Sequence, residues 1–199
     1  MQLRSLPHRS LGLALLLAFA LAPLGCRAAS GGWSPVPSAA LDDAQTAQLE
    51  RAAEARDALI GELVETLTAE LSANGPAAAI AVCRDRAPAI AAETGERLGL
   101  RVGRTSWKLR NPDNQAPAWA EALLADRPAE PRTTTGPDGE LGVAFPIRVA
   151  GACLACHGDP EALEPAVRAA LAAEYPRDRA TGYREGDLRG WLWVEVPGA

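Results

Sequence analysis

The chain is poor in several residue types that report on function. Lys108 is the single lysine among 20 basic residues, and the other nineteen are arginines. The 25 acidic residues outnumber the basic ones and give a formal net charge of −5. An acidic chain is a poor nucleic-acid binder, and it also lacks the character of a polybasic membrane binder. After residue 24, no segment is apolar enough to predict a transmembrane helix.

The longest apolar run lies at the N-terminus, over residues 11–24. Arg4 and Arg9 precede it, and this order of a basic and then an apolar segment predicts an export signal over residues 1–25. The run is shorter than a transmembrane helix requires. We therefore expect a periplasmic or otherwise extracytoplasmic protein.

The end of the signal leaves two alternatives. Leu24-Gly25-Cys26 resembles a lipoprotein cleavage site, which would place a lipid anchor on Cys26. Ordinary cleavage nearby, for instance after Ser30, would release an unanchored protein. A stretch rich in Gly, Ser and Pro follows, so residues 26–41 are predicted to form a flexible tether.

The segment Cys153-Leu154-Ala155-Cys156-His157 carries the main chemical signal. Two cysteines three residues apart, followed directly by histidine, are the attachment signature of a c-type haem. Each cysteine sulfur forms a thioether with one vinyl group, and the adjacent histidine supplies an axial ligand to the iron. The sequence thus predicts one covalent haem c per chain, on Cys153 and Cys156, with His157 as a ligand.

Two other sites use closely spaced cysteines. A structural zinc site needs about four N or S ligands, and the sequence offers no second Cys/His pair. A dithiol redox centre would place the pair at the start of a helix after a βα turn, and it does not require the histidine. Haem attachment is therefore favoured over both.

Histidine and methionine are scarce, and this limits the second axial ligand. Apart from His157, the sequence has only His8 and Met1, and both fall within the predicted signal. The remaining candidates are Cys83, Lys108, a tyrosine or an open position. Cys83 lies on the apolar stripe of a predicted helix, where the alternative interpretation is a small buried core cysteine.

Hydrophobic periodicity predicts one α+β domain over residues 42–199, with long N-terminal helices followed by an antiparallel sheet. Gly75 and Pro76 separate the first two helices. In the last strand, Trp191 and Trp193 share one face, and Leu192, Val194 and Val196 share the other. The predicted helices cover about 42–73, 76–98, 117–125 and 160–174, and the predicted strands about 100–105, 133–135, 141–149 and 188–196.

Four motifs resemble a known family. Residues 79–90 around Cys83, residues 104–114, Phe145-Pro146-Ile147 with the 153–158 segment, and residues 175–190 are similar to the Tll-type c-type haem domain family. That family has a PAS-like fold and is catalogued as a domain of unknown function. The resemblance implies a PAS-like antiparallel sheet over roughly residues 43–196. It also implies that His157 and Cys83 ligate the iron from opposite sides.

Further residues are expected near the haem. Arg104, Lys108 and Arg110 form the most basic stretch, and two propionates and a thiolate need compensating charge when partly buried. Arg104 and Arg110 are therefore predicted to bind the haem. Trp107, with Trp191 and Trp193, is predicted to form walls of its pocket.

These features predict an exported haem-binding protein that acts as a redox or small-ligand sensor. A periplasmic electron-transfer cytochrome is the alternative. A peroxidase-like enzyme would need a distal acid–base residue, for which no spare histidine exists, so we do not expect an enzyme. A sensor without an output domain needs a signalling or redox partner protein, or a second copy of itself, and the long N-terminal helix is the expected contact.

Overall fold

The computed structural model describes residues 32–198. The predicted signal over 1–25, the lipidation at Cys26 and the first residues of the tether lie outside this range. Within it, the strands are β1 (Ser34–Val36), β2 (Arg101–Thr105), β3 (Arg132–Thr135), β4 (Leu141–Arg148) and β5 (Leu188–Val196). They form one antiparallel sheet in the order β1-β3-β4-β5-β2. The predicted α+β class with an antiparallel sheet is confirmed.

A long helical segment precedes the central strands and contains a π-helical turn. Short 3₁₀ turns occur at Ser38–Ala40 and Gly151–Cys153. The helical elements are α1 (Asp43–Ala81), the π-helical turn (Val82–Arg86), α2 (Ala87–Leu98), α3 (Ala118–Leu124), α4 (Leu154–His157) and α5 (Pro165–Glu174).

Helix α1 begins at a capping box and changes direction at Gly75. The Asp42 carboxylate accepts from the backbone N–H of Gln45 at 2.8 Å, and the Gln45 side chain accepts from the N–H of Asp42 at 3.1 Å. Gly75 has φ 78° and ψ 176°, which glycine adopts readily, and Pro76 follows. The predicted break between two helices is thus confirmed, and α2 packs back against the first half of α1, where Arg51 donates to the carbonyl of Leu98 at 3.2 Å.

The two faces of the sheet bury different side chains. On one face, Leu192, Val194 and Val196 of β5 pack against Leu59 of α1 and Ile90 of α2. The other face carries an aromatic cluster, in which the ring centroids of Trp119 and Trp193 are 6.5 Å apart and those of Trp107 and Trp191 are 5.4 Å apart. The predicted alternation along β5 is confirmed. The predicted haem-attachment segment, residues 153–157, lies at the end of the sheet, beyond β4.

Strand β1 differs from the flexible tether expected over 26–41. Ser34–Val36 pairs with the outer edge of β3, and the hydroxyl of Thr133 donates to the carbonyl of Val36. Trp33 stacks on Trp119 with 5.2 Å between ring centroids, and this aromatic contact holds the strand in place. Composition alone suggested a tether because the partners of this stretch lie about 100 residues away. Within residues 32–198, no helix is both long and apolar enough to cross a membrane.

Candidate haem-binding site

The attachment segment, residues 153–157, follows shortly after the end of β4. The 3₁₀ turn ending at Cys153 leads directly into α4, which carries Cys156 and His157. Cys153 is exposed, whereas Cys156 is half-buried against a core cluster formed by Ile80 of α1 and residues of α5 and its flanks. The two cysteines therefore have different surroundings: the Cys153 side chain is exposed, and the Cys156 side chain contacts the helical layer.

A cleft of about 170 Å³ lies where this segment meets the ends of β2, β4 and β5. Gly190 permits the close approach of the strands there, because a Cβ at this position would lie 2.2 Å from the carbonyl oxygen of Thr105. The cleft thus brings together residues that are 85 positions apart in sequence. Its lining includes Arg104, Arg110, Val149, Cys153, His157 and Arg189.

The imidazole of His157 is oriented by a backbone carbonyl. Its Nδ1 lies 2.6 Å from the carbonyl oxygen of Ala180, which can only accept a hydrogen bond. Nδ1 must therefore carry the proton, and Nε2 keeps the lone pair that binds a metal. A metal-ligating histidine is generally held in this way by a second partner.

The same environment keeps His157 neutral. Burial, together with the nearby charges of Arg110 and Arg189, lowers the pKa of the imidazole to about 3, against the opposing effect of the Ala180 hydrogen bond. At neutral pH the side chain therefore offers an uncharged nitrogen. This is the protonation state that coordinates iron.

Arg110 connects the attachment segment to the loop after α5 through an ion pair and hydrogen bonds. Its guanidinium pairs with the Asp178 carboxylate at 3.1 Å, and the two side chains are only 7% and 11% exposed. It also donates to the carbonyl oxygens of Cys156 at 2.5 Å and Ala180 at 3.4 Å. Because Ala180 also accepts from His157, this carbonyl links Arg110 to His157.

The loop after α5 completes this arrangement. The N–H groups of Gly182 and Tyr183 donate to the carbonyls of Gly158 and His157 at 2.7 and 3.0 Å. The Tyr183 ring stands edge-on to the imidazole, with 6.4 Å between ring centroids. His157 is thus fixed both by its backbone and by its ring, which pre-organises it as a ligand.

Two further arginines line the cleft without an acidic partner. Among residues 32–198, neither Arg104 nor Arg189 forms an ion pair. Burial lowers the pKa of both guanidinium groups, which nevertheless remain cationic at neutral pH. Charges buried without compensation are costly, so this cleft is suited to an anionic group. Haem propionates are such groups.

Cys83 lies on the π-helical turn, close to one wall of the cleft. Its thiol interacts electrostatically with Arg104, which lines the cleft, and with Cys156. It also adds to the effect of burial that raises the pKa of Tyr175 to about 12. Cys83 itself is half-buried and free.

The π-helical turn has a local cause in Pro88. A proline lacks the N–H that would bond to the carbonyl of Arg84 in a continuous α-helix, and its ring crowds that carbonyl. The wider turn instead closes with the N–H of Ala87 donating to the carbonyl of Val82. Such turns are frequent at functional sites, and here the turn carries Cys83.

Trp107 does not line the cleft, in contrast to the predicted pocket wall. Its ring packs on Trp191 and under the guanidinium of Arg127, which lies 4.9 Å from the ring centroid. Trp191 donates from its indole nitrogen to the carbonyl of Pro128 at 2.9 Å. Trp107 and Trp191 thus belong to the aromatic cluster of the sheet, and neither lines the cleft.

The donor set of the cleft fits a haem better than the alternatives. It holds a neutral imidazole nitrogen, an accessible thiol at Cys153 and two unpaired guanidinium groups. Burial raises the pKa of Cys156, whereas a reactive dithiol centre requires a lowered one. Among residues 32–198, no three His, Cys, Asp or Glu side chains converge as a metal-binding group.

Comparison with known proteins gives the family. The model of the family described as Tll0287-like matches residues 39–197. The chain belongs to the Tll0287-like family. A solved structure, the crystal structure of the cyanobacterial haem protein Tll0287, matches this Tll0287-like chain with a TM-score of 0.56 and 26% sequence identity. The match covers 80% of this chain and 98% of the other. No curated protein matches.

Sequence reasoning on this Tll0287-like chain missed several site residues. Asp178, Tyr183 and Arg189 lie within motifs noted for resemblance, but no role followed from their spacing. Ala180 acts through its backbone carbonyl, so its side chain gave no signal. The available signal for Arg189 was a positive charge near the start of a mostly apolar strand.

Proposed function

We propose that this protein is an exported c-type haem protein, with one haem on Cys153 and Cys156 and axial ligation by His157 and Cys83. The observation that carries this is the fixed, neutral imidazole of His157 beside the Cys153 thiol in the cleft. Membership of a family that includes a haem protein supports it. The bound haem would supply one-electron chemistry and an iron centre for small ligands. The export signal predicted over residues 1–25 supports attachment outside the cytoplasm.

The arginines have separate roles in this proposal. Arg104 and Arg189 pair with the haem propionates, because both line the cleft and have no acidic partner among residues 32–198. Arg110 was also predicted to bind the haem. Its contacts with Asp178 and two carbonyls support a different role, in which it positions the attachment segment and His157.

The domain over residues 42–199 has a PAS-like fold in our proposal. A five-stranded antiparallel sheet with helices on one face supports this description, as does the family match. The cleft lies at the end of the sheet, and Cys83 on the π-helical turn interacts electrostatically with Arg104 in its lining.

We further propose a sensor role, in which Cys83 transmits the state of the haem. Cys83 lies on the turn between α1 and α2, so a change in its bonding acts directly on the junction of these helices. Arg84 next to it pairs with Glu174 of α5, which extends the effect to the layer around Cys156. Two packed arrangements of such a junction would provide the two states that a sensor needs. An electron carrier remains the second candidate.

Covalent attachment is tested first. The full chain is expressed with a cytochrome c maturation system and extracted with acidified acetone. We expect the colour to stay with the protein, and to be lost when both Cys153 and Cys156 are replaced by Ser. Passage of all colour into the solvent in the unmodified protein would refute covalent attachment.

Cys83→Ala tests the second ligand. We expect the ferric absorption spectrum to change from low-spin to high-spin or water-ligated, because a thiolate ligand is lost. An unchanged spectrum would show that Cys83 is an ordinary core cysteine. Hydrogen exchange of residues 43–98 in the ferric and ferrous protein then separates the two functions, since equal protection together with fast electron exchange supports the carrier.

A further inference from the structure

A second cavity, of about 350 Å³, lies beside the first and has no role in the proposed function. It is lined by Trp107, Lys108, Arg127, Tyr183, Asp187 and Leu188, and we refer to it as the Trp107 cavity. Tyr183 borders it and also stands edge-on to His157. It is a wide depression that opens to the surface, so a ligand bound there stays partly in contact with solvent.

Two cations face this cavity from aromatic surfaces. The Lys108 ammonium lies 4.4 Å from the Tyr183 ring centroid, and the Arg127 guanidinium lies 4.9 Å from that of Trp107. Among residues 32–198, neither cation forms an ion pair. Lys108 donates to the carbonyl of Thr181, which leaves two of its three donors available.

The one carboxylate in the lining is turned toward its own loop. Asp187 accepts from the N–H of Arg184 at 2.7 Å, and the N–H of Asp187 donates to the carbonyl of Arg184 at 3.1 Å. It forms no ion pair with Lys108 or Arg127. The cavity therefore has a formal excess of one positive charge between two aromatic walls.

We propose that the Trp107 cavity binds a small aromatic carboxylate. The planar fork of Arg127 matches the two oxygens of a carboxylate, and Lys108 adds a point charge. Because Arg127 and Lys108 lie over the faces of the Trp107 and Tyr183 rings, a planar body would contact the edges of these rings and the side chain of Leu188. Neither the cations nor the rings alone select an aromatic carboxylate. An anion without a ring leaves the aromatic side chains exposed to water, and a neutral ring gives neither cation an ion-pair partner.

The bound anion would also act on the haem cleft, a role that rests on the proposed function. Arg189 lines that cleft, donates to the Lys108 carbonyl at 3.2 Å and lies 5.5 Å from the Tyr183 ring centroid. Lys108, Tyr183 and Arg189 thus form a wall between the two cavities. A negative charge in the Trp107 cavity favours the more positive, oxidised haem, so binding is tighter to the ferric protein.

The site is tested with 4-fluorobenzoate, followed by ¹⁹F NMR titration of the purified full chain. The neutral analogue 4-fluorobenzamide tests the charge, and acetate as a competitor tests the ring. We expect the benzamide to bind about tenfold more weakly, as loss of a charge-assisted hydrogen bond predicts. We expect acetate to displace the probe only at much higher concentration.

Two variants locate the binding. Lys108→Met and Arg127→Gln should each weaken binding about tenfold, while Arg97→Gln, the same charge change at an exposed site on α2, leaves it unaltered. Because Arg127 is exposed, its replacement is compatible with folding even if that of Lys108 is not. Equal binding of benzoate and benzamide, or binding insensitive to Arg127→Gln, would overturn the proposal.

The effector role has its own readout. If binding is tenfold tighter to the ferric protein, the reduction potential falls by about 59 mV at saturation. Equal affinity for both oxidation states overturns the effector role and leaves the anion site supported. Because the ¹⁹F titration needs no haem signal, a chain that proves to lack covalent haem still tests the cavity.

Discussion

Replacing Arg110 with methionine tests how His157, the proposed haem ligand, is held in place. The substitution removes the guanidinium and keeps an unbranched apolar side chain. It leaves the Asp178 carboxylate without its cation in a place where that side chain is 11% exposed. It also removes the donor to the carbonyls of Cys156 and Ala180.

The magnitude follows from the burial of the pair. Removing one partner of a buried ion pair costs about 3–5 kcal/mol, because an uncompensated charge stays behind. An exposed pair costs about 0–1 kcal/mol. We therefore expect Arg110→Met to lower the free energy of unfolding by about 3–5 kcal/mol. This is a large fraction of the roughly 5–15 kcal/mol that a domain possesses.

The assay is urea denaturation of the full chain, with the free energy taken from the midpoint and slope. The matched control is Arg86→Met, whose guanidinium lies 3.8 Å from the Glu93 carboxylate with both side chains about half exposed. We expect a change of less than about 1 kcal/mol there. The double variant Arg110→Met with Asp178→Asn should be more stable than Arg110→Met alone, since no unpaired charge remains.

Two results would refute this reasoning. If Arg110→Met and Arg86→Met destabilise the protein equally, the buried Arg110–Asp178 ion pair does not stabilise the fold more than an exposed pair does. If the double variant is no more stable than Arg110→Met, the loss does not arise from the buried carboxylate. A smaller effect on stability with an altered ferric spectrum would instead indicate that Arg110 acts on His157 alone.

Two further predictions concern the core and the pH dependence. Leu59→Ala should lower the free energy of unfolding by about 2–5 kcal/mol, because Leu59 is fully buried between α1 and the sheet. The control Ile60→Ala, at a side chain that is 40% exposed, should lower it much less. Similar midpoints of urea denaturation for the two variants would contradict this prediction. In the haem-free Cys153→Ser/Cys156→Ser variant, His157 has a folded-state pKa of about 3, below its ordinary 6.5. Its unfolded state binds the proton more readily, so stability should fall as pH falls from 6.5 toward 3, by up to about 1.4 kcal/mol per pH unit. His157→Gln should flatten that decline, and an identical pH profile would refute the assignment.

Local signals were sufficient for the start of the first long helix and for the break that follows it, whereas the π-helical turn and α4 were not predicted. The effects of Asp42 and Gly75 depend only on neighbouring residues in the sequence. A carboxylate caps the N–H groups of the helix that follows it, and glycine followed by proline ends a helix. The alternation of Trp191 and Leu192 likewise predicted opposite faces of β5, because strand periodicity is a local property. The attachment signature at Cys153, Cys156 and His157 is equally local.

The tertiary structure decided what these local signals could not. The tautomer of His157 depends on the carbonyl of Ala180, which is 23 residues away and contributes no side-chain signal. Arg104 and Arg110 looked alike in sequence, but only Arg110 meets a carboxylate, because the loop bearing Asp178 folds over α4. Trp107 was expected at the cleft and packs instead in the aromatic cluster across the sheet. Sequence fixes which groups are present and how each short segment bends, whereas the partner of a buried charge or ring depends on which distant segments the sheet brings together.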